Sequence, residues 1–131
     1  MFKCLADGTA RTAFDGLIRV GHGAIATEAN QTCRGMLVSP TARIHTQPQL
    51  EIYCDDVKCS HGAATGQLDE RALFYMLSRG IDPPQARSML MNAFMADVID
   101  SVTLSPLRDR LRHLVERRLS GDDAFCEGCD L

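Results

Sequence analysis

Cys59 and His61 stand two residues apart within Pro48–Gly62, which reads PQLEIYCDDVKCSHG. Successive side chains on a strand point to opposite faces, so residues two apart share a face. If this run is extended, a thiol and an imidazole look into the same space. Thiolate is a soft ligand and imidazole a borderline one, and both suit zinc or an iron–sulfur species. One of each is too few for a closed four-ligand site. A second chain must then supply ligands, or binding is transient. The same two residues also fit a nucleophile and its base. A cysteine packed beside a hydrogen-bonded histidine is the plainer reading, and spacing leaves all three open.

The neighbouring groups have plainer roles. Asp55 and Asp56 are adjacent, so on a strand they face opposite ways, and a turn or a cap suits them better than a shared acid–base site. Cys54 lies five residues before Cys59 and faces the other way if the strand is regular. It reads as packing, with a metal role as a lesser option. Cys126-Glu127-Gly128-Cys129 is a C-x-x-C, a spacing used both by metal sites and by dithiols. No second pair stands in register with it, which counts against a metal role and favours adventitious zinc or intermolecular disulfides; a small zinc-binding module using Cys126 and Cys129 is kept as a third reading of the chain.

Composition narrows the class. The chain has 131 residues, 45% of them apolar, and a formal net charge of −3. That size suits a modest core of one domain's worth, and the charge gives no general pull toward nucleic acid or anionic membrane. Arg108, Arg110, Arg112, Arg117 and Arg118 lack interleaved aromatics, so a solvated helix face is expected rather than an RNA strip. No apolar run approaches a membrane span. MFKCLADG lacks the charged-then-apolar order of a secretory signal, so the six cysteines are expected as reduced thiols in a cytoplasm. No Walker-type glycine loop appears, so ATP binding by this chain is not expected.

The elements that must position the pair follow from periodicity. Thr12, Phe14, Gly16, Ile18 and Val20 alternate with Arg11, Asp15 and Arg19, which predicts a strand. Similar short runs stand around Ala24–Thr27, Met36–Ser39, Ile44 and Leu50–Cys54. Leu17–Thr27 aligns weakly with Met36–Thr46, an offset of 19 that would suit one coil of a solenoid. The second half turns helical. Asp69 can cap a helix over Glu70–Arg79 that Gly80 stops. Asp82-Pro83-Pro84-Gln85 opens a second helix, running to about Val102 and burying Ala86, Met89, Leu90, Ala93, Phe94, Met95 and Val98. Ser105-Pro106 opens a third, with Leu107, Leu111, Leu114 and Val115 as its apolar stripe. From Gly121 onward a mobile tail is expected.

One long stretch carries a resemblance. PQLEIYCDDVKCSHGAATGQLDERALFYMLSRGI resembles the C-terminal part of the SufD-type members of the SufB/SufD scaffold family, which serves the SUF iron–sulfur cluster assembly system. FDGLIRV to GMLVSPTARI is similar to that family's repeating strands, so the likeness covers roughly Phe2 to Val98. DDVKCSHG and LFYMLSRGI are its densest parts. The resemblance implies a right-handed parallel β-helix segment over residues 1–66, a small helical bundle over 67–120 and a tail over 121–131. It implies a non-catalytic scaffold that pairs with a SufB-type subunit and docks a SufC-type ATPase through its helices. Cys59 and His61 carry over as residues at the scaffold interface, where a transient iron–sulfur cluster forms. No cofactor is expected to bind this chain tightly. Phe74, Tyr75, Arg79 and Gly80 carry over as ATPase-docking residues. Family members are several times longer and this chain begins mid-pattern, so it is expected to be a piece of a larger protein and to pair with a second copy in isolation. Cys4 and Gly35 depart from the family pattern, where Gly and Asn are expected, and the third helix is only loosely similar.

Overall fold

Alternating small or apolar and polar residues build the first half of the chain into long strands. In this computed structural model, which describes residues 1–120, they are β1 (Phe2–Ala6), β2 (Arg11–Val20), β3 (Thr27–Leu37), β4 (Arg43–Ile52) and β5 (Val57–Gln67). All their pairings are parallel. β1, β3 and β5 lie side by side in one sheet, and β2 pairs with β4 in another. The chain therefore switches sheet with every strand, and each strand pairs with the one two before it. This first unit is Met1–Leu68.

The register corrects the expected repeat. Phe2 pairs with Cys33, Cys33 with Ala63 and Arg11 with Arg43, so the strand pairing repeats about every 30 residues rather than every 19. Leu17 lies in β2 and Met36 in β3, strands of different sheets. The weak repeat thus compares successive strands of the two sheets, which share a pattern because each packs one face inward. The expected short runs are also longer than anticipated. Met36 is the last residue but one of an 11-residue strand whose inward row, Ala29, Gln31, Cys33 and Gly35, is small or polar and hides the alternation. Leu50 belongs to β4, which stops at Ile52 before Cys54. Ala24–Ala26 is turn rather than strand, and Ala26 takes a left-handed φ of 59°.

The inward rows make the core of this unit. Ala6, Val20, Cys33 and Ala42 are buried, and the exposed Phe2 ring meets Phe14 as a tilted pair with centroids 4.6 Å apart. The two departures from the resembled pattern, Cys4 and Gly35, are register partners. A larger side chain at one is balanced by a smaller one at the other. A Cβ at Gly35 would come within 2.9 Å of both Ile44 Cδ1 and Thr65 Oγ1, so the glycine fills a place with no room for a side chain.

The second unit begins at Asp69 and holds α1 (Glu70–Ser78), α2 (Pro83–Asp100) and α3 (Ser105–Leu119). The Asp69 carboxylate accepts from the Arg71 and Ala72 backbone N–H at 2.9 and 3.1 Å, and Gly80 leaves α1 with φ 84°. These are the start and stop expected of it. α2 starts differently. Asp82 occupies the N-cap position, yet its side chain caps nothing. Pro83 and Pro84 fill the first two helical positions and remove N–H donors that such a cap would satisfy. α3 shifts by one residue: Leu104 is its N-cap and Ser105 is already helical.

The buried stripe of α2 is Ala86, Met91 and Ile99, while Met89 and Ala93 are exposed and Leu90, Phe94, Met95 and Val98 half-buried. Apolar residues circle this helix, so its sequence does not specify one inward face. Leu107 and Leu114 of α3 are exposed, and Leu111 and Val115 half-buried. Arg112 reaches from α3 to Asp100 at the end of α2, with N···O 2.6 Å. Both side chains are about half exposed, so this pair holds the helices together weakly. No helix among the described residues is long and apolar enough to cross a membrane.

Candidate functional site

The pair is positioned by β5, the edge strand of its sheet. Val57 to His61 are extended, and the register sets which way each side chain faces. Lys58 pairs with Glu28 and its Nζ lies 3.2 Å from the Glu28 carboxylate on the exposed face. Cys59 and His61 therefore share the opposite face, beside Ala29 and Gln31 of β3. That face continues the inward row holding Cys33. Cys59 is half-buried and His61 exposed. From His61 to Gln67 every residue of β5 is exposed. The other sheet contains only β2 and β4, and after Gln67 the chain turns helical, so no later strand among the described residues faces β5. The thiol and imidazole thus sit where the buried inward row opens to the surface.

Cys54 belongs to the turn between β4 and β5, with a bend at Asp55 and Asp56 between it and Cys59. Cys54 does not alternate in facing with Cys59, contrary to expectation, because the chain is not extended across the bend. The two aspartates serve the turn: the Asp56 carbonyl accepts the Ala26 N–H at 2.8 Å, tying this turn to the one before β3. Cys126 and Cys129 lie outside the described residues. Cys4, Cys33, Cys54 and Cys59 are free thiols. Among the described residues no group of three or more His, Cys, Asp or Glu is placed to hold a metal ion. This chain's described residues thus offer a half-set of ligands at Cys59 and His61, and no carboxylate joins them as a third member of a catalytic triad.

Periodicity gave no sign of Gln31. It sits in mid-β3, 6% exposed, and is the register partner of His61. Only the pairing of β3 with β5 brings residues 31 and 61 together, and the local sequence around neither residue announces it. An open groove of about 530 Å³ lies elsewhere, along the starts of β2 and β4, and includes neither Cys59 nor His61.

Cys33 is the perturbed titrating group of the interior. Burial pushes its thiol above the ordinary value of 9.0, and Cys4, whose thiol hydrogen-bonds with it, pushes it further. A raised folded pKa adds stability that is complete below the unfolded value and lost as pH rises through the folded one. The first unit is therefore expected to weaken through the alkaline range above 9.0. Urea denaturation on both sides of that pH measures the slope, and Cys33→Ala should flatten it. An unchanged slope in the variant would contradict this assignment.

α1 carries the other candidate surface. Phe74 is 73% and Tyr75 58% exposed, and the Arg79 guanidinium lies 5.0 Å from the Tyr75 ring centroid. Gly80 follows as the left-handed stop.

Comparison with known proteins shows the family of the chain. A family model described as SUF system FeS cluster assembly, SufBD core domain, matches residues 1–94. An iron–sulfur cluster assembly SufBD family protein of Synechocystis is 41% identical over 90% of this chain and 26% of its own length. The iron–sulfur cluster assembly protein SufD of Escherichia coli is 38% identical over 92% of this chain and 29% of its own length. The Bacillus subtilis protein of the same name is 32% identical over 85% and 25%. The chain thus spans between a quarter and a third of each of these relatives.

Proposed function

Because this chain belongs to the SufBD core family and is SufD-like within it, we propose that it acts as a scaffold on which an iron–sulfur cluster is assembled and handed on. The observation that carries this reading is the thiol and imidazole side by side on the open inward face of β5. The cluster is cargo. Cys59 and His61 supply part of its ligands, and a SufB-type subunit seated against the exposed edge of β5 supplies the rest. This arrangement favours release. When the two chains separate, a cluster shared between them loses about half its protein ligands at once, and neither chain alone holds a closed set.

The alternation of strands between two parallel sheets supports a right-handed parallel β-helix as the architecture. Stacked coils give a stiff wall that holds Cβ positions to the spacing of neighbouring strands, about 4.8 Å. A SufC-type ATPase docks on α1 through Phe74, Tyr75 and Arg79, with Gly80 setting the end of that helix. The chain itself catalyses nothing: ATP hydrolysis by the docked subunit moves the scaffold pair. The assembly works in the cytoplasm. Without its partner, the edge of β5 pairs with a second copy, since it presents unpaired N–H and C=O groups.

The test is co-expression of the protein from its intact gene with SufB-type and SufC-type subunits. All three should co-purify with iron and sulfide. Light scattering of the protein alone should give a dimer. Failure to co-purify, together with a clean monomer at high concentration, would overturn the proposal.

A further inference from the structure

We infer that Gln31 is the positioning residue for His61, accepting one ring N–H through its side-chain Oε1 and so leaving the other ring nitrogen free to bind metal. This rests on the reading of His61 as a ligand. Gln31 is nine-tenths buried, and its Oε1 has no hydrogen-bond partner among the described residues, His61 included, so the inferred bond forms when the exposed His61 ring turns toward it. A buried carbonyl oxygen left unpaired is costly, and such a group calls for an explanation. The register supplies one. Gln31 and His61 are partners on neighbouring parallel strands and face the same way. The distance between such strands, about 4.8 Å, is within reach of the two side chains.

The opposite sheet is cut to fit the carboxamide. A Cβ at Gly16 would lie 1.8 Å from Gln31 Nε2, so the side chain occupies the space that glycine leaves. Its end lies against Gly16 of β2, which limits how far the carboxamide can move. Chemistry gives this restraint a purpose. Neutral imidazole has one N–H and one lone pair, and a metal takes the lone pair. An acceptor fixed beside one nitrogen keeps the proton there, which sets both tautomer and ring orientation. Carboxylates and backbone carbonyls commonly hold metal-binding histidines in this way, and a buried carboxamide oxygen offers the same lone pairs.

The experiment uses this protein labelled with ¹⁵N-histidine, and reads the His61 tautomer by long-range ¹H–¹⁵N correlation, with no metal or partner present. Wild type should show one dominant tautomer. Gln31→Met removes the acceptor at similar volume and should give a mixture. Gln31→Glu keeps an oxygen at that place and should retain the single form. Gly16→Ala should disturb it with Gln31 still present, by displacing the carboxamide. Co²⁺ binding, followed by its visible absorption, should weaken about tenfold in Gln31→Met and be restored in Gln31→Glu. A His61 tautomer identical in wild type, Gln31→Met and Gly16→Ala would overturn the inference, as would loss in Gln31→Glu equal to that in Gln31→Met. The tautomer readout needs no cluster. A fixed tautomer alongside cluster content indifferent to His61→Ala would sink the ligand reading and leave the positioning intact.

Discussion

Cys59→Ala and His61→Ala should each lower the cluster content of the assembled scaffold by about tenfold or more, with the complex still forming. Outer partners of metal ligands alone are worth about 10- to 100-fold in affinity, and a direct ligand should matter at least as much. Here each residue is half of what the chain offers, because no third His, Cys, Asp or Glu joins them among the described residues. The fold should tolerate both changes. His61 is exposed and Cys59 half-buried at a sheet edge, where substitutions away from special features usually cost no more than about 0.5 kcal/mol. Ser60→Ala is the matched control, since alternation sends that side chain to the opposite face. Iron and acid-labile sulfide per complex give the readout. Loss of cluster in Ser60→Ala equal to that in His61→Ala would mean that the strand, not the facing pair, matters.

The second large effect concerns α1. Phe74→Asp with Tyr75→Asp should abolish capture of the ATPase subunit while leaving the scaffold pair intact. Aromatic anchors at interfaces cost about 2 kcal/mol or more when lost, roughly 30-fold in affinity. An introduced carboxylate adds the cost of burying a charge. Phe74 is the most exposed large apolar side chain of the described residues at 73%, so neither substitution empties a core. Arg79→Ala should give a smaller loss, because its guanidinium lies over the Tyr75 ring and stiffens it. Gly80 is a poor probe: its φ of 84° means that any side chain there strains the backbone. Wild-type retention of the ATPase by the doubly substituted protein in pull-down assays would remove α1 from the docking surface.

What the sequence made legible follows from the range of the forces involved. Alternation is local, so β2 and the shared face of Cys59 and His61 could be read from neighbouring residues. Asp69 and Gly80 act on the nearest turn of helix, and α1 starts and stops where they put it. Reading failed where the deciding contact was distant or where two local rules competed. β3 looks polar because its inward row is lined by Gln31, Cys33 and Gly35, which are buried only once β1 and β5 flank them. The repeat length depends on which strands pair, and a 19-residue likeness between successive strands concealed a pairing period of about 30. At α2, a proline at N2 defeated an aspartate that otherwise stands in the right place to cap. The partner of His61 lies 30 positions away in the chain and next to it in the sheet.

The scaffold role depends on His61 and Cys59 meeting the cluster together. Pulsed electron paramagnetic resonance on the reduced complex, with ¹⁵N-histidine in this subunit only, reads that contact directly. A hyperfine coupling from a bound ring nitrogen should appear in wild type and vanish in His61→Ala. A fully loaded cluster with no such coupling, or one whose coupling survives His61→Ala, would contradict it.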